Sequence, residues 1–105
     1  MKTIQVDERF NQQTVPVAAG DRIDLQLDET PTTGYQWQIV QMDTDQIELL
    51  DKTYRLHAEA GIGGGGIRTF ALRVRGEGAG RIVLENRQSW SNDVYKTFTL
   101  FYKPA

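Results

Sequence analysis

The 105 residues are 39% hydrophobic and 25% charged, the make-up of one folded domain over residues 1–105 and too apolar for a disordered segment. Twelve Lys and Arg against 14 Asp and Glu leave a net charge of −2, so no positive field gathers phosphates and nucleic acid is not expected as a partner. Cysteine is absent, which removes disulfides, thiolate metal sites and a cysteine nucleophile, and the apolar runs are far too short for a membrane span.

Taken in chain order, residues 4–6 and 14–17 are short strand candidates. Ile23, Leu25 and Leu27 then alternate with Asp24 and Gln26, and Tyr35, Trp37 and Ile39 with Gln36 and Gln38. Residues 43–50 hold the one segment with the character of a helical turn, and residues 47–57 are a further strand candidate. Phe70, Leu72 and Val74 alternate with Ala71, Arg73 and Arg75; residues 81–85 follow; Phe98, Leu100 and Tyr102 alternate with Thr97 and Thr99. Period two of this kind turns one side of each segment to a core and the other to water, as in half-buried antiparallel strands. Turn signals separate the segments: Ala19-Gly20-Asp21, Pro31-Thr32-Thr33-Gly34, the glycines from 61 to 66, Gly76-Glu77-Gly78-Ala79-Gly80 and Ser91-Asn92-Asp93. Seven to eight short strands at this spacing indicate an all-β antiparallel sandwich or a small barrel, of which the sandwich is preferred. The expected core is Ile23, Leu25, Leu27, Trp37, Ile39, Leu49, Phe70, Leu72, Val74, Ile82, Leu84, Phe98 and Leu100.

Enzymatic readings fail on chemistry. Gly61-Ile62-Gly63-Gly64-Gly65-Gly66 spells G-x-G-x-x-G, but the dinucleotide fingerprint needs a helix N-terminus after it, and residues 67–75 alternate like a strand. Asp43, Asp45 and Glu48 cluster near a turn without the glycine and oxygen count of a calcium loop, so they read as a solvated turn. His57 is the sole histidine and lacks a nucleophile–base–orienter set, so it reads as a surface or packing residue. No catalytic residue, metal or cofactor is expected. The opening Met1-Lys2-Thr3-Ile4-Gln5 carries no stretch of signal-peptide length, so a cytoplasmic location is expected unless a leader has been trimmed, and the expected state is a monomer.

Three loops remain that the core does not explain. Thr30-Pro31-Thr32-Thr33-Gly34-Tyr35 is uncharged and stiffened by Pro31, with Gly34 free to take a positive φ. The glycine run from 61 to 66 is denser than a turn requires and suits close approach by another backbone. Asn86-Arg87-Gln88-Ser89-Trp90-Ser91-Asn92-Asp93 places Trp90 in a polar stretch outside the core alternation, either folded back onto the sandwich or offered to a partner.

In order and composition these loops resemble those of the chagasin-like inhibitors of papain-family cysteine peptidases, which carry N-P-T-T-G-Y/F, G-x-G-G and R-P-W loops on an immunoglobulin-like sandwich. Thr30 stands for the leading asparagine of the first, Pro31, Thr32, Thr33, Gly34 and Tyr35 follow it, and Trp37 comes after. Gly63, Gly64, Gly65 and Gly66 match the second, which sets Phe70 on the family's strand aromatic. Aligning the third on Trp90 puts Gln88 and Ser89 at the Arg and Pro positions, with Arg87 one place early. The resemblance runs from about Arg22 to the C-terminus. It implies a noncovalent, competitive inhibitor whose three loops form a wedge for a peptidase cleft, with Thr32 and Thr33 nearest the catalytic cysteine and the other two loops gripping the cleft on either side. A small-ligand or carbohydrate-binding sandwich is the alternative, with Tyr35, Trp37 and Trp90 as aromatic faces; Trp37, sharing a strand face with Ile39, is expected to be buried.

Overall fold

Alternating segments that each hide one face have to find a second sheet, and the chain does so with eight strands. The computed structural model describes residues 1–30, 33–57 and 65–105. The strands are β1 (Thr3–Val6), β2 (Thr14–Val17), β3 (Arg22–Glu29), β4 (Tyr35–Gln41), β5 (Ile47–Leu56), β6 (Gly66–Val74), β7 (Gly80–Gln88) and β8 (Val94–Pro104). They form two four-stranded sheets, ordered β1-β3-β6-β5 and β2-β8-β7-β4, stacked as a sandwich. The all-β sandwich predicted from alternation is the fold.

Most pairings are antiparallel, but both N-terminal strands pair parallel: β1 with β3 and β2 with β8. The first segment is split between the sheets by a 3-10 turn at Glu8–Phe10, capped by the Asp7 carboxylate on the Arg9 amide, and by a left-handed Gln12. Pro16 is tolerated because β2 is an edge strand. The helical character of residues 43–50 reduces to one turn, in which the Gln46 and Ile47 amides donate to the Asp43 carbonyl before β5 begins.

The core contains Ile23, Leu25, Leu27, Trp37, Phe70, Leu72, Val74, Ile82, Leu84, Phe98 and Leu100 as expected, with Ile39 packed on it in part. Leu49 is a correction: it is 44% exposed. It still pairs with the buried Leu72, but β5 is the edge strand of its sheet, and within it only Ile47 is fully buried. Val6, Val15, Val17 and Tyr102 complete the core: the three valines lie in strands too short for alternation to single out, and Tyr102 continues the inward series Phe98 and Leu100 although it is not in the expected core.

Candidate functional site

Inward periodicity does not stop at the apolar residues. In β3 the series Ile23, Leu25, Leu27 continues to Glu29, and in β6 the series Val74, Leu72, Phe70 continues to Arg68. The two charges therefore meet inside the loop-bearing end of the sandwich. The Arg68 guanidinium donates to the Glu29 carboxylate through Nη2 at 2.6 Å and Nε at 3.1 Å, and the Glu29 side chain has no exposed surface. The same carboxylate accepts the Trp37 amide at 2.7 Å, and the Trp37 indole N–H donates to the Asp28 carbonyl at 2.8 Å. Both donors of Trp37, in one sheet, are thus held by β3 of the other. The Tyr54 ring lies beneath the Arg68 guanidinium at 5.0 Å, and its hydroxyl donates to the Glu29 carbonyl. This knot fixes the bases of β3, β4, β5 and β6 immediately below the loops.

The first loop leaves β3 at Thr30. Its carbonyl accepts both the amide and the hydroxyl of Thr33, at 3.1 and 2.7 Å, and the Thr33 hydroxyl oxygen accepts the Tyr35 amide. Gly34 has φ +83°, the left-handed region that glycine enters without strain. A Cβ on Gly34 would overlap Cη2 of Trp90 and lie 2.9 Å from its Cζ2, so the indole of the third loop rests on the backbone of the first. Trp90 is nonetheless 70% exposed: it is braced on one side and offered on the other.

The second loop reaches the same place. A Cβ on Gly65 would lie 3.0 Å from the Thr30 hydroxyl oxygen and 3.4 Å from the Glu29 carbonyl. The Gly65 carbonyl accepts the His57 amide, which closes the loop's neck. His57 itself is half-exposed, with Nε2 3.7 Å from the Asp28 carboxylate, in keeping with a surface residue.

Within the third loop the Ser91 hydroxyl donates to the Gln88 side-chain carbonyl, and the Gln88 amide donates to the Asp93 carbonyl. The Tyr35 hydroxyl donates to the Asp93 carboxylate at 2.6 Å, tying the first loop to the third. That hydrogen bond, together with burial and the negative charge of Asp93, pushes the Tyr35 phenol above its ordinary value of 10.0.

The structure therefore brings Thr30, Thr33, Gly34, Tyr35, Gly65, Gln88, Ser89 and Trp90 to one end of the sandwich. Two expected site residues are engaged in contacts within the chain. Gly66 is a buried β6 residue paired with Glu29 and Leu56, and a Cβ there would strike the Arg55 carbonyl and the Tyr54 hydroxyl. Arg87 shares the outer face of β7 with Glu85, and its guanidinium pairs with Glu85 and donates to the Ser91 carbonyl. Pro31, Thr32, Gly63 and Gly64 lie outside the described residues. Trp37, at 2% exposure, presents no face to a ligand. Sequence reasoning did not single out Glu29, Arg68 or Tyr95, and it placed Asn86 and Asp93 in the third loop without a role of their own. For Glu29, Arg68 and Asn86 a signal existed, since each is a polar residue at an inward register position.

The chain matches the model of the "Chagasin family peptidase inhibitor I42" over residues 16–102. It is 32% identical to Amoebiasin-1 of Entamoeba histolytica over 102 residues, covering 92% of this chain and 95% of that protein. It is 24% identical to Chagasin of Trypanosoma cruzi, covering 94% and 96%. Its fold superposes on the crystal structure of a cysteine protease inhibitor from Entamoeba histolytica with a TM-score of 0.89, at 24% identity and over 99% and 96% of the two chains. Sandwich topology, loop order and these likenesses agree: the chain belongs to the chagasin family, whose members are peptidase inhibitors and not enzymes.

Proposed function

We propose that this chain inhibits papain-like cysteine peptidases by pressing its three-loop end into the active-site cleft, without a covalent step. The description of the family as peptidase inhibitors, and of the superposed structure as a cysteine protease inhibitor, supports the target class. The observation that carries the mode of binding is the braced but exposed Trp90, stacked on Gly34 beside Thr30 and Gly65. A side chain already held in place loses little freedom on docking, a cost otherwise of about 0.5–1.5 kcal/mol for each immobilised side chain. Glycine at 34 and 65 lets Trp90 and Thr30 close against the backbone, and the knot below anchors the strands that carry these residues. With no cysteine in the chain, disulfide exchange with the catalytic thiol is closed, and competition with substrate is the mode expected.

Titration of papain with the purified protein tests this. Competitive loss of activity is expected, with Trp90→Ala weakening inhibition at least tenfold, or about 1.4 kcal/mol. His57→Ala should inhibit like the wild type. Absence of inhibition at micromolar protein contradicts the proposal, and equal potency of the Trp90 variant contradicts the role given to the third loop.

A further inference from the structure

Beside the loops the space between the sheets stays open as a pocket of about 400 Å³. Thr30 and Thr33 form one side of it, Tyr35 and Tyr95 another, and Asp28 and Lys96 also line it. Its depth is set by Asn86, which continues the inward series Ile82 and Leu84 along β7 and is 5% exposed. The Asn86 side-chain oxygen is buried and has no hydrogen-bond partner among the described residues. A buried carbonyl left unmatched is a cost to the fold, and it is repaid when a donor arrives.

The wall is also specially made. The pairing of β7 with β8 shifts between Asn86 and Arg87: Asn86 faces Lys96 and Arg87 faces Val94, which leaves Tyr95 as the extra residue of a bulge. Bulges redirect a side chain, and this one sets the Tyr95 ring against Tyr35, with centroids 5.8 Å apart and planes inclined at 56°. Tyr95 remains 65% exposed, next to the first and third loops. Charges around the pocket balance: Glu29 is neutralised by Arg68, and the other two lining charges, Asp28 and Lys96, are of opposite sign, the Lys96 ammonium lying 5.3 Å over the Tyr95 ring. Neither an anion nor a cation is favoured.

Resting on the inhibitor reading above, we infer that this pocket is a subsite for a neutral hydrogen-bond donor of the bound peptidase, a hydroxyl or amide side chain, received by the Asn86 oxygen between the Tyr35 and Tyr95 rings. Tyr95 then extends the contact surface beyond the three loops, and Asn86 is kept polar for binding at the expense of stability.

The test measures papain inhibition and thermal midpoint together for the wild type, Asn86→Leu, Tyr95→Ala and Tyr95→Phe. Asn86→Leu is expected to melt at or above the wild-type temperature while inhibiting at least tenfold less well. Tyr95→Ala should melt like the wild type and lose about tenfold, with Tyr95→Phe retaining inhibition. If Asn86→Leu melts lower and inhibition falls only in step with stability, Asn86 is structural and the subsite is overturned. Equal inhibition by wild type, Asn86→Leu and Tyr95→Ala means that the pocket holds only water in the complex, which overturns it as well. An inactive wild type overturns the inhibitor reading and this subsite with it.

Discussion

At Gly34 one backbone dihedral and one missing side chain decide how the third loop stands. An L-residue at φ +83° carries roughly 1–2 kcal/mol of strain, and its Cβ would also displace the Trp90 ring. Gly34→Ala is therefore expected to destabilise the protein by about that amount in urea denaturation and to weaken papain inhibition at least tenfold. A variant that loses stability yet inhibits fully would detach Trp90 from its bracing. Sequence reading recognised that Gly34 permits this conformation and left Trp90 open between core and surface. The missing knowledge was which loop lies against which, because residues 34 and 90 come together only through the register of β4 with β7, where Tyr35 faces Gln88.

Strands were the most legible elements, because period two survives almost any tertiary context. Alternation failed at an edge and at a slip: Leu49 keeps its inward register opposite Leu72 but lies uncovered on the edge strand β5, and a bulge in β8 freed Tyr95. It was also applied too narrowly, since only apolar residues were assigned to the interior. Glu29 and Arg68 obey the same period, 39 residues apart, and form the tie between β3 and β6. Breaking a buried ion pair by removing one partner costs about 3–5 kcal/mol, because the remaining charge is stranded. Glu29→Ala also orphans the Trp37 amide, so a loss at the upper end of that range is expected from chemical denaturation, whereas the exposed pair Arg9–Asp7 should change stability little when removed. Similar small losses for both variants would show that the buried Glu29 network contributes no more than a surface pair.

Across the whole molecule the two ends serve different purposes. β3 runs from Arg22 to Glu29, about 23 Å of extended chain, so the turn at Asp21 lies far from the loops. There the buried Asp21 carboxylate accepts the amides of Ala18 and Lys2, which hold its pKa below the ordinary 3.8. A carboxylate depressed in the folded state stabilises it above the unfolded pKa, and the contribution is lost as pH falls through the folded value. Wild type should thus exceed Asp21→Asn in denaturation midpoint at neutral pH, with the gap closing below about pH 4, while both inhibit papain equally at neutral pH. A gap that persists unchanged in acid would show that Asp21 acts through shape and not through its charge.

The central claim is that contact with the peptidase is confined to the loop-bearing end. Amide hydrogen exchange of the protein, free and saturated with papain, addresses it directly. Slowed exchange is expected in residues 30–35, 57–66 and 88–95, with residues 18–22 and 76–80 unchanged. Protection centred on residues 18–22 and 76–80, with the loops exchanging as in the free protein, would contradict the account.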